Sequence, residues 1–267
     1  MSIRILVAIP AYNEAARLPV LFADIKAYLE SPLPAERCFD VHFLIVDDGS
    51  RREEFAATKR LLSEYGLENG VGLVRLERNQ GKGAAIRAGF ERGLTGSFHY
   101  LGFMDADSSV PVSELHRLLV YLTTTGRQLG LAGAIGSRVR MLGRTITRSP
   151  IRHGLGRVFA TFVTAYFGCA VYDTQCGLKV FDTDLLRRYL AVPTDDRWVW
   201  DTELLLAMLH GGERIHEVPI DWRDTGQSKV SLIRDPFRML WSLIKFKRRL
   251  LAVYTSTPPG PVPRPDD

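Results

Sequence analysis

Residues 100–109, Tyr-Leu-Gly-Phe-Met-Asp-Ala-Asp-Ser-Ser, decide how the rest of the chain is read. A short run of strand character ends in two carboxylates, Asp105 and Asp107, two positions apart. In an extended segment such residues point to the same side. The pair can then reach one hard divalent cation and leave its other sites to water or a phosphate. Open α/β sheets hold their ligands at this place, beyond the carboxyl ends of the strands. A strand running into an Asx-type turn leaves the same trace, so the neighbouring segments have to discriminate.

Three units of the same kind precede it. Residues 3–9 are almost continuously apolar, the pattern of a central parallel strand, and pass through Pro10-Ala-Tyr-Asn-Glu14 into a helix over about 16–30. A strand at 41–46 ends in Asp47-Asp48-Gly49-Ser50 before a helix at 52–65. A strand at 71–76 ends in Asn79-Gln-Gly-Lys-Gly83 before a helix at 83–94, and the 100–109 unit leads to a helix at 111–125. Polar residues and glycines collect after each strand. This predicts an α/β fold, a mostly parallel, doubly wound sheet with flanking helices and its loops along one edge.

Downstream the pattern loosens. A strand at 131–136 ends in Ser137-Arg138, and a basic loop over 138–157 leads into an apolar helix ending near Gly168. Then come Asp173-Thr-Gln-Cys-Gly-Leu-Lys179, a helix near 183–190, Trp200-Asp-Thr-Glu203 opening another, a strand at 215–220 and a turn-rich loop at 224–229. The expected organisation is one domain over 1–230, a basic amphipathic helix over 231–254 and a Pro-rich disordered tail over 255–267.

With 267 residues, 46% hydrophobic content and a net charge of +5, the chain is an ordinary, mildly basic globular protein. Three cysteines, Cys38, Cys169 and Cys176, lack zinc-type spacing and suggest reduced thiols in a cytosolic setting. The N-terminus enters a strand at once, leaving no room for a signal peptide. The longest uncharged run, 158–172, is shorter than the roughly 20 residues that span a bilayer. No His-x-x-x-His pair or Gly-x-Ser-x-Gly elbow supports zinc-hydrolase or serine-esterase chemistry. Gly81-Lys-Gly83 is neither a Walker loop nor a dinucleotide fingerprint. At a helix start it either presents N–H groups and an ammonium to phosphate or simply caps the helix. Asp48 reads as a turn residue with an N-cap, or as an acceptor for a nucleobase N–H beside a stacked Tyr12. No recognition motif points to a nucleic-acid partner.

Seven stretches, in order over about residues 3–230, resemble the family 2 glycosyltransferases of GT-A (nucleotide-diphospho-sugar transferase) fold, and their dolichyl- or polyprenyl-phosphate glucosyltransferase and mannosyltransferase branch. They are Ile9-Pro-Ala-Tyr-Asn-Glu14, Val46-Asp-Asp-Gly-Ser50, Asn79-Gln-Gly-Lys-Gly83, Asp105-Ala-Asp107, Gly136-Ser-Arg138, Asp173-Thr-Gln-Cys-Gly-Leu-Lys179 and Gly226-Gln-Ser-Lys229. The sixth is similar to the glucosyltransferase side.

The resemblance implies that Pro10, Tyr12, Glu14 and Asp48 hold base and ribose, with Lys82 nearby. It implies that Asp105 and Asp107 hold Mg²⁺ or Mn²⁺ against the diphosphate, and that Arg138, Arg152, Gln175 and Lys229 face the diphosphate or an acceptor phosphate. In the mannosyltransferase relatives a neutral third ligand follows the Asp pair, and here that place is Ser109. The implied reaction moves a hexose, glucose from UDP-glucose, onto a polyprenyl or dolichyl phosphate with inversion.

A phosphate acceptor is already a nucleophile near neutral pH and needs only arginines to place it. A hydroxyl on a polysaccharide, lipid or protein would need a base, for which Asp201 is the candidate. A nucleotidyltransferase or a non-catalytic nucleotide-sugar binder are the remaining readings. The last helix carries Arg234, Arg238, Lys245, Arg248 and Arg249 on one arc beside Ile233, Phe237, Leu240, Ile244 and Leu251. Such a helix suits an anionic membrane surface as well as packing on the core. The expected location is cytoplasmic, peripheral on the inner face of a membrane.

Overall fold

The computed structural model describes residues 2–31, 39–147, 150–226 and 234–256, with the backbone alone at 150–153, 234 and 253–256. Strands β1 (Ile3–Ala11), β2 (Phe39–Asp47), β3 (Val71–Arg75) and β4 (Tyr100–Met104) alternate with helices α1 (Leu18–Glu30), α2 (Arg52–Glu64), α3 (Lys82–Leu94) and α4 (Val112–Tyr121). After α4 a π-helical turn spans Leu122–Gly126, so the helix expected over 111–125 changes pitch in its last turn. There follow β5 (Gly133–Ser137), β6 (Ile146–Thr147), α5 (Pro150–Phe167), β7 (Leu178–Asp182), α6 (Thr183–Tyr189), α7 (Trp200–His210), β8 (Ile215–Pro219), β9 (Trp222–Arg223) and α8 (Arg234–Ser256).

Seven strands make one sheet in the order β3-β2-β1-β4-β7-β5-β8, and β6 and β9 form a separate parallel pair. All pairings in the large sheet are parallel except those of β7, which runs antiparallel to β4 and β5. The expectation of a mostly parallel sheet therefore holds with one reversed strand. That reversal matters for the site. It brings the N-terminal end of β7, and the loop before it, to the edge where the other strands present their carboxyl ends.

The two sheet faces are covered separately. Ile5, Val7 and Ile9 of β1 face a cluster with Leu21, Phe22 and Ile25 of α1 and Leu115 and Leu118 of α4. Leu6 and Ala8 face a cluster with Ile86 and Phe90 of α3, Trp200 and Leu204 of α7, and Leu243 and Phe246 of α8. This is the period-two alternation of a strand buried on both faces. Full burial of each large side chain contributes roughly 1.5–3 kcal/mol.

Helix α8 packs on the core through Met239, Leu243, Phe246 and Leu250, which is not the apolar arc expected from the sequence. Phe237 (72% exposed) and Trp241 (61%) point away. Lys247, which seemed to intrude on the apolar face, donates to the Tyr166 carbonyl and lies 4.1 Å over the Tyr166 ring. No helix among the described residues is long and apolar enough to cross a membrane. The tail beyond Ser256 lies outside the described residues.

Candidate active site

The loops after β1 and β2 are tied into one unit. Strand register sets Pro10 against Val46 and Ala11 against Asp47, and the Asp48 N–H donates to the Ala11 carbonyl. The Asn13 N–H donates to Ser50 Oγ, and the Arg51 N–H to Asn13 Oδ1. Pro10 and Asp48 thus stand on neighbouring strand ends, with Tyr12 and Glu14 in the joined loop and Tyr12 38% exposed. Asp48 is buried, and its two oxygens accept the N–H groups of Gln80 (2.7 Å) and Gly81 (2.8 Å). Burial pushes its carboxyl above the usual range although those two donors act against it.

This corrects the reading of Gly81-Lys-Gly83 as a phosphate cradle. The Gln80 and Gly81 N–H groups belong to Asp48, and the Gly83 and Ala84 N–H groups donate to the carbonyls of Arg197 and Asp196. The start of α3 is closed by protein. Gly83 is small for a steric reason, since a Cβ there would lie 2.3 Å from that of Trp200. The Lys82 side chain turns to the carboxylate pair, its ammonium 2.6 Å from Asp105 Oδ1. Lys82 therefore stands with the carboxylate pair.

β4 ends at Met104, so Asp105 and Asp107 sit in the following turn, where Ser108 has φ of +57°. They converge through that turn and not through an extended i, i+2 geometry. Asp107 Oδ1 accepts the Ser109 N–H at 3.0 Å, so the Asx turn and the paired carboxylates coexist. Burial, and then the Asp105 charge, push the Asp107 carboxyl upward. Burial lowers the Lys82 ammonium, but Asp105, Asp201 and Asp107 more than offset it, and the net shift is upward.

Asp105 Oδ1 is buried and held by the Lys82 ammonium, while Oδ2 has no hydrogen-bond donor among the described residues and its lone pairs can serve a cation. No cluster of three metal-ligating side chains occurs among the described residues. Two hard oxygens fit Mg²⁺ or Mn²⁺ shared with a diphosphate, and do not fit an all-protein cage.

The loop before β7 closes over this pair. The Asp105 N–H donates to the Gly177 carbonyl, and a Cβ on Gly177 would lie 2.2 Å from Asp105 Oδ2. Glycine is required there because the carboxylate occupies the space. Four residues earlier, Asp173 grips Arg138 in a two-pronged pair (Nε–Oδ2 2.7 Å, Nη2–Oδ1 2.8 Å) and also accepts the Arg138 N–H. Burial would raise the Asp173 carboxyl, but Arg138 holds it at about 2.

Beside the clamp is a small cleft of about 40 Å³, lined among others by Arg138, Arg157, Tyr172, Thr174 and Gln175. That is room for about three waters or one phosphate group. The Arg157 guanidinium lies 3.8 Å over the Tyr172 ring. Thr174 Oγ1 is buried and has no hydrogen-bond partner among the described residues. Gln175 donates to the Trp198 carbonyl. Arg138 and Gln175 thus lie together as expected, while the side chain of Arg152 and all of Lys229 fall outside the described residues.

Asp201 is in the first turn of α7, whose N-cap position is Val199. Its Oδ2 is 2.6 Å from the ammonium of Lys179, which is 0% exposed, and its Oδ1 accepts the Thr202 N–H. Arg157 closes the basic loop over 138–157 whose arginines were expected to place an acceptor phosphate, and three contributors escaped sequence reasoning: Asp173 and Lys179 as partners of Arg138 and Asp201, and Glu203. The last is fully buried and holds the 194–195 backbone that leads to the carbonyls closing α3. Asp173 and Lys179 were quoted as motif residues, but nothing in a linear pattern pairs them.

The family model "Glycosyl transferase family 2" matches residues 6–190. The dolichyl-phosphate beta-glucosyltransferase of Drosophila melanogaster is 30% identical over 95% of this chain and 75% of that protein. The dolichyl-phosphate beta-glucosyltransferase ALG5C of Trichomonas vaginalis is 30% identical over 84% of this chain and 65% of that protein, so about a third of its length has no counterpart in the alignment. Among solved structures, glucosyl-3-phosphoglycerate synthase from Mycobacterium tuberculosis, in complex with Mn²⁺, UDP and product, superposes with a TM-score of 0.65 at 17% identity. The match covers 91% of this chain and 79% of that one. At that identity the likeness establishes the shared GT-A fold.

Proposed function

Because the chain belongs to glycosyltransferase family 2, we propose that it moves glucose from UDP-glucose to the phosphate of a polyprenyl or dolichyl acceptor at a membrane surface, inverting the anomeric carbon. The observation that carries this reading is the arginine-lined cleft, whose 172–177 loop packs against Asp105. Gly177 ties the cleft loop to that carboxylate, through its carbonyl to the Asp105 N–H and through its close approach to Asp105 Oδ2. The names of the relatives at about 30% identity point to the same donor sugar and acceptor class.

In this reading Pro10, Tyr12, Glu14 and Asp48 receive the base and ribose. The acceptor phosphate sits between Arg138 and Arg157 with Thr174 and Gln175 beside it. Asp173 neutralises much of Arg138, so Arg157 supplies most of the uncompensated charge. A phosphate monoester is largely dianionic near neutral pH. Its oxygen attacks the anomeric carbon, the bond to the diphosphate breaks, and UDP leaves with the electron pair. No proton has to move. A divalent cation bound at Asp105 and Asp107 supplies charge neutralisation for the departing diphosphate. Lys82, already at that pair, adds a fixed positive charge there.

The second reading, a hydroxyl acceptor deprotonated by Asp201, fits less well. A carboxylate whose oxygens are engaged by a buried ammonium and a backbone N–H is a poor proton acceptor.

The test offers UDP-glucose, UDP-galactose, GDP-glucose and GDP-mannose with Mn²⁺ to polyprenyl phosphate and, separately, to the free polyprenol. The expected outcome is glycolipid and UDP from UDP-glucose with the phosphate alone. Equal transfer to the alcohol, or none to the phosphate, overturns the reading.

A further inference from the structure

Strand β8 stands at the edge of the sheet, and Glu217 at its centre is paired in register with Ile135 of β5. Its carboxylate is not left to solvent. Oε2 accepts the Tyr172 N–H at 2.7 Å and Oε1 accepts the Asp173 N–H at 2.7 Å. Two consecutive backbone donors on one carboxylate form a charge-assisted grip. It lands on a stretch that belongs to no helix or strand, between the end of α5 and the start of β7. Such a stretch has no ladder of its own to fix it.

Both gripped residues carry an arginine of the cleft. Asp173 aims its carboxylate at Arg138 through contacts of 2.7 and 2.8 Å. Tyr172 holds the Arg157 guanidinium 3.8 Å over its ring, and its carbonyl accepts from Arg157 Nη1 at 3.4 Å. One side chain on a rigid strand therefore sets the spacing of two guanidinium groups that come from different elements, the end of β5 and helix α5.

We infer that Glu217 is a positioning residue for the acceptor phosphate: it touches no substrate, but by fixing the Tyr172–Asp173 backbone it holds Arg138 and Arg157 at the separation that a phosphate dianion bridges. This rests on the reading of the cleft as the acceptor site. The donor end is fixed independently, by the Asp48 contacts to Gln80 and Gly81 and the joined β1 and β2 loops. Loss of Glu217 should therefore separate acceptor recognition from donor recognition, which a general loss of fold would not do.

The experiment compares Glu217→Ala, Glu217→Gln and Arg157→Ala with the unaltered full chain. Steady-state kinetics give kcat and the KM for polyprenyl phosphate, calorimetry gives the Kd for UDP-glucose with Mn²⁺, and hydrogen exchange reads the amides of residues 172 and 173. Glu217→Ala should raise the acceptor KM about tenfold or more, leave the donor Kd within about twofold, and deprotect both amides. Glu217→Gln keeps one acceptor oxygen and should fall between, which also covers the case in which the alanine variant folds poorly. An unchanged acceptor KM in the glutamine and alanine variants while Arg157→Ala raises it overturns this inference alone, as does parallel weakening of donor and acceptor. If Arg157→Ala leaves the acceptor KM unchanged, the cleft is not the acceptor site and both readings fall.

Discussion

Charged side chains in this site are partnered with one another, and the partners determine what each can do. Lys179 and Asp201 illustrate the cost. A lysine with no exposed surface is tolerable because its ammonium also donates to the Cys176 carbonyl at 2.7 Å, and breaking such a buried pair typically costs several kcal/mol. Asp173 offers the clearest case. Its carboxyl lies at about 2 against an ordinary 3.8, because Arg138 outweighs the effect of burial. A carboxyl depressed by folding contributes stability that is present above its unfolded value and lost as pH falls through its folded value. The shift corresponds to roughly 2 kcal/mol, present above about pH 4 and disappearing toward pH 2. Asp173→Asn should be less stable than the unaltered chain at pH 7, with the gap in urea-unfolding free energy narrowing at pH 2.5. A gap that does not change with pH would show that the clamp is not ionic.

Helix α8 presents two faces of opposite use. At about 100° per residue, Met239, Leu243, Phe246 and Leu250 fall together and are buried. Phe237, Trp241 and Arg248 fall on the opposite side with exposed Arg238, Lys245 and Arg249 nearby, and the Lys245 ammonium lies 5.4 Å over the Trp241 ring. Aromatic residues amid cations suit the headgroup layer of an anionic bilayer. The two faces make separable predictions. Phe237→Ala with Trp241→Ala should leave the unfolding free energy within about 0.5 kcal/mol and reduce sedimentation with phosphatidylserine vesicles about tenfold. Leu243→Ala should cost about 2–5 kcal/mol with lipid binding by the folded fraction intact. Undiminished vesicle binding in the aromatic double variant would exclude this face as the membrane contact.

At the scale of the whole molecule, the sheet edge gathers loops from β1, β2, β3, β4 and β5 with the loop before β7 and the start of α7. Two apolar cores, one on each face, support that edge. Chelation should therefore act on chemistry and leave the fold alone. With EDTA, sugar transfer should fall about a hundredfold or more and return with Mn²⁺, while the thermal midpoint of the donor-free protein moves by no more than about 1 °C. A midpoint falling by many degrees would mean that the cation is structural.

The strand-then-polar-loop rhythm was legible in the amino acids because it is local. Alternation of side chains identifies strands, and glycine, asparagine and aspartate mark the turns that follow them. Asp105, Asp107 and Asp48 were singled out in that way, and Arg138 through the resemblance to the family. The reversal of β7 was not, since Leu178-Lys-Val-Phe-Asp182 reads alike as a strand in either direction. Nor were the pairings Lys82 with Asp105, Lys179 with Asp201 and Glu217 with the 172–173 backbone, which join groups far apart in the chain. A linear pattern reports which face a residue takes, whereas the partner of a charge depends on how strands from distant parts of the chain are ordered and directed.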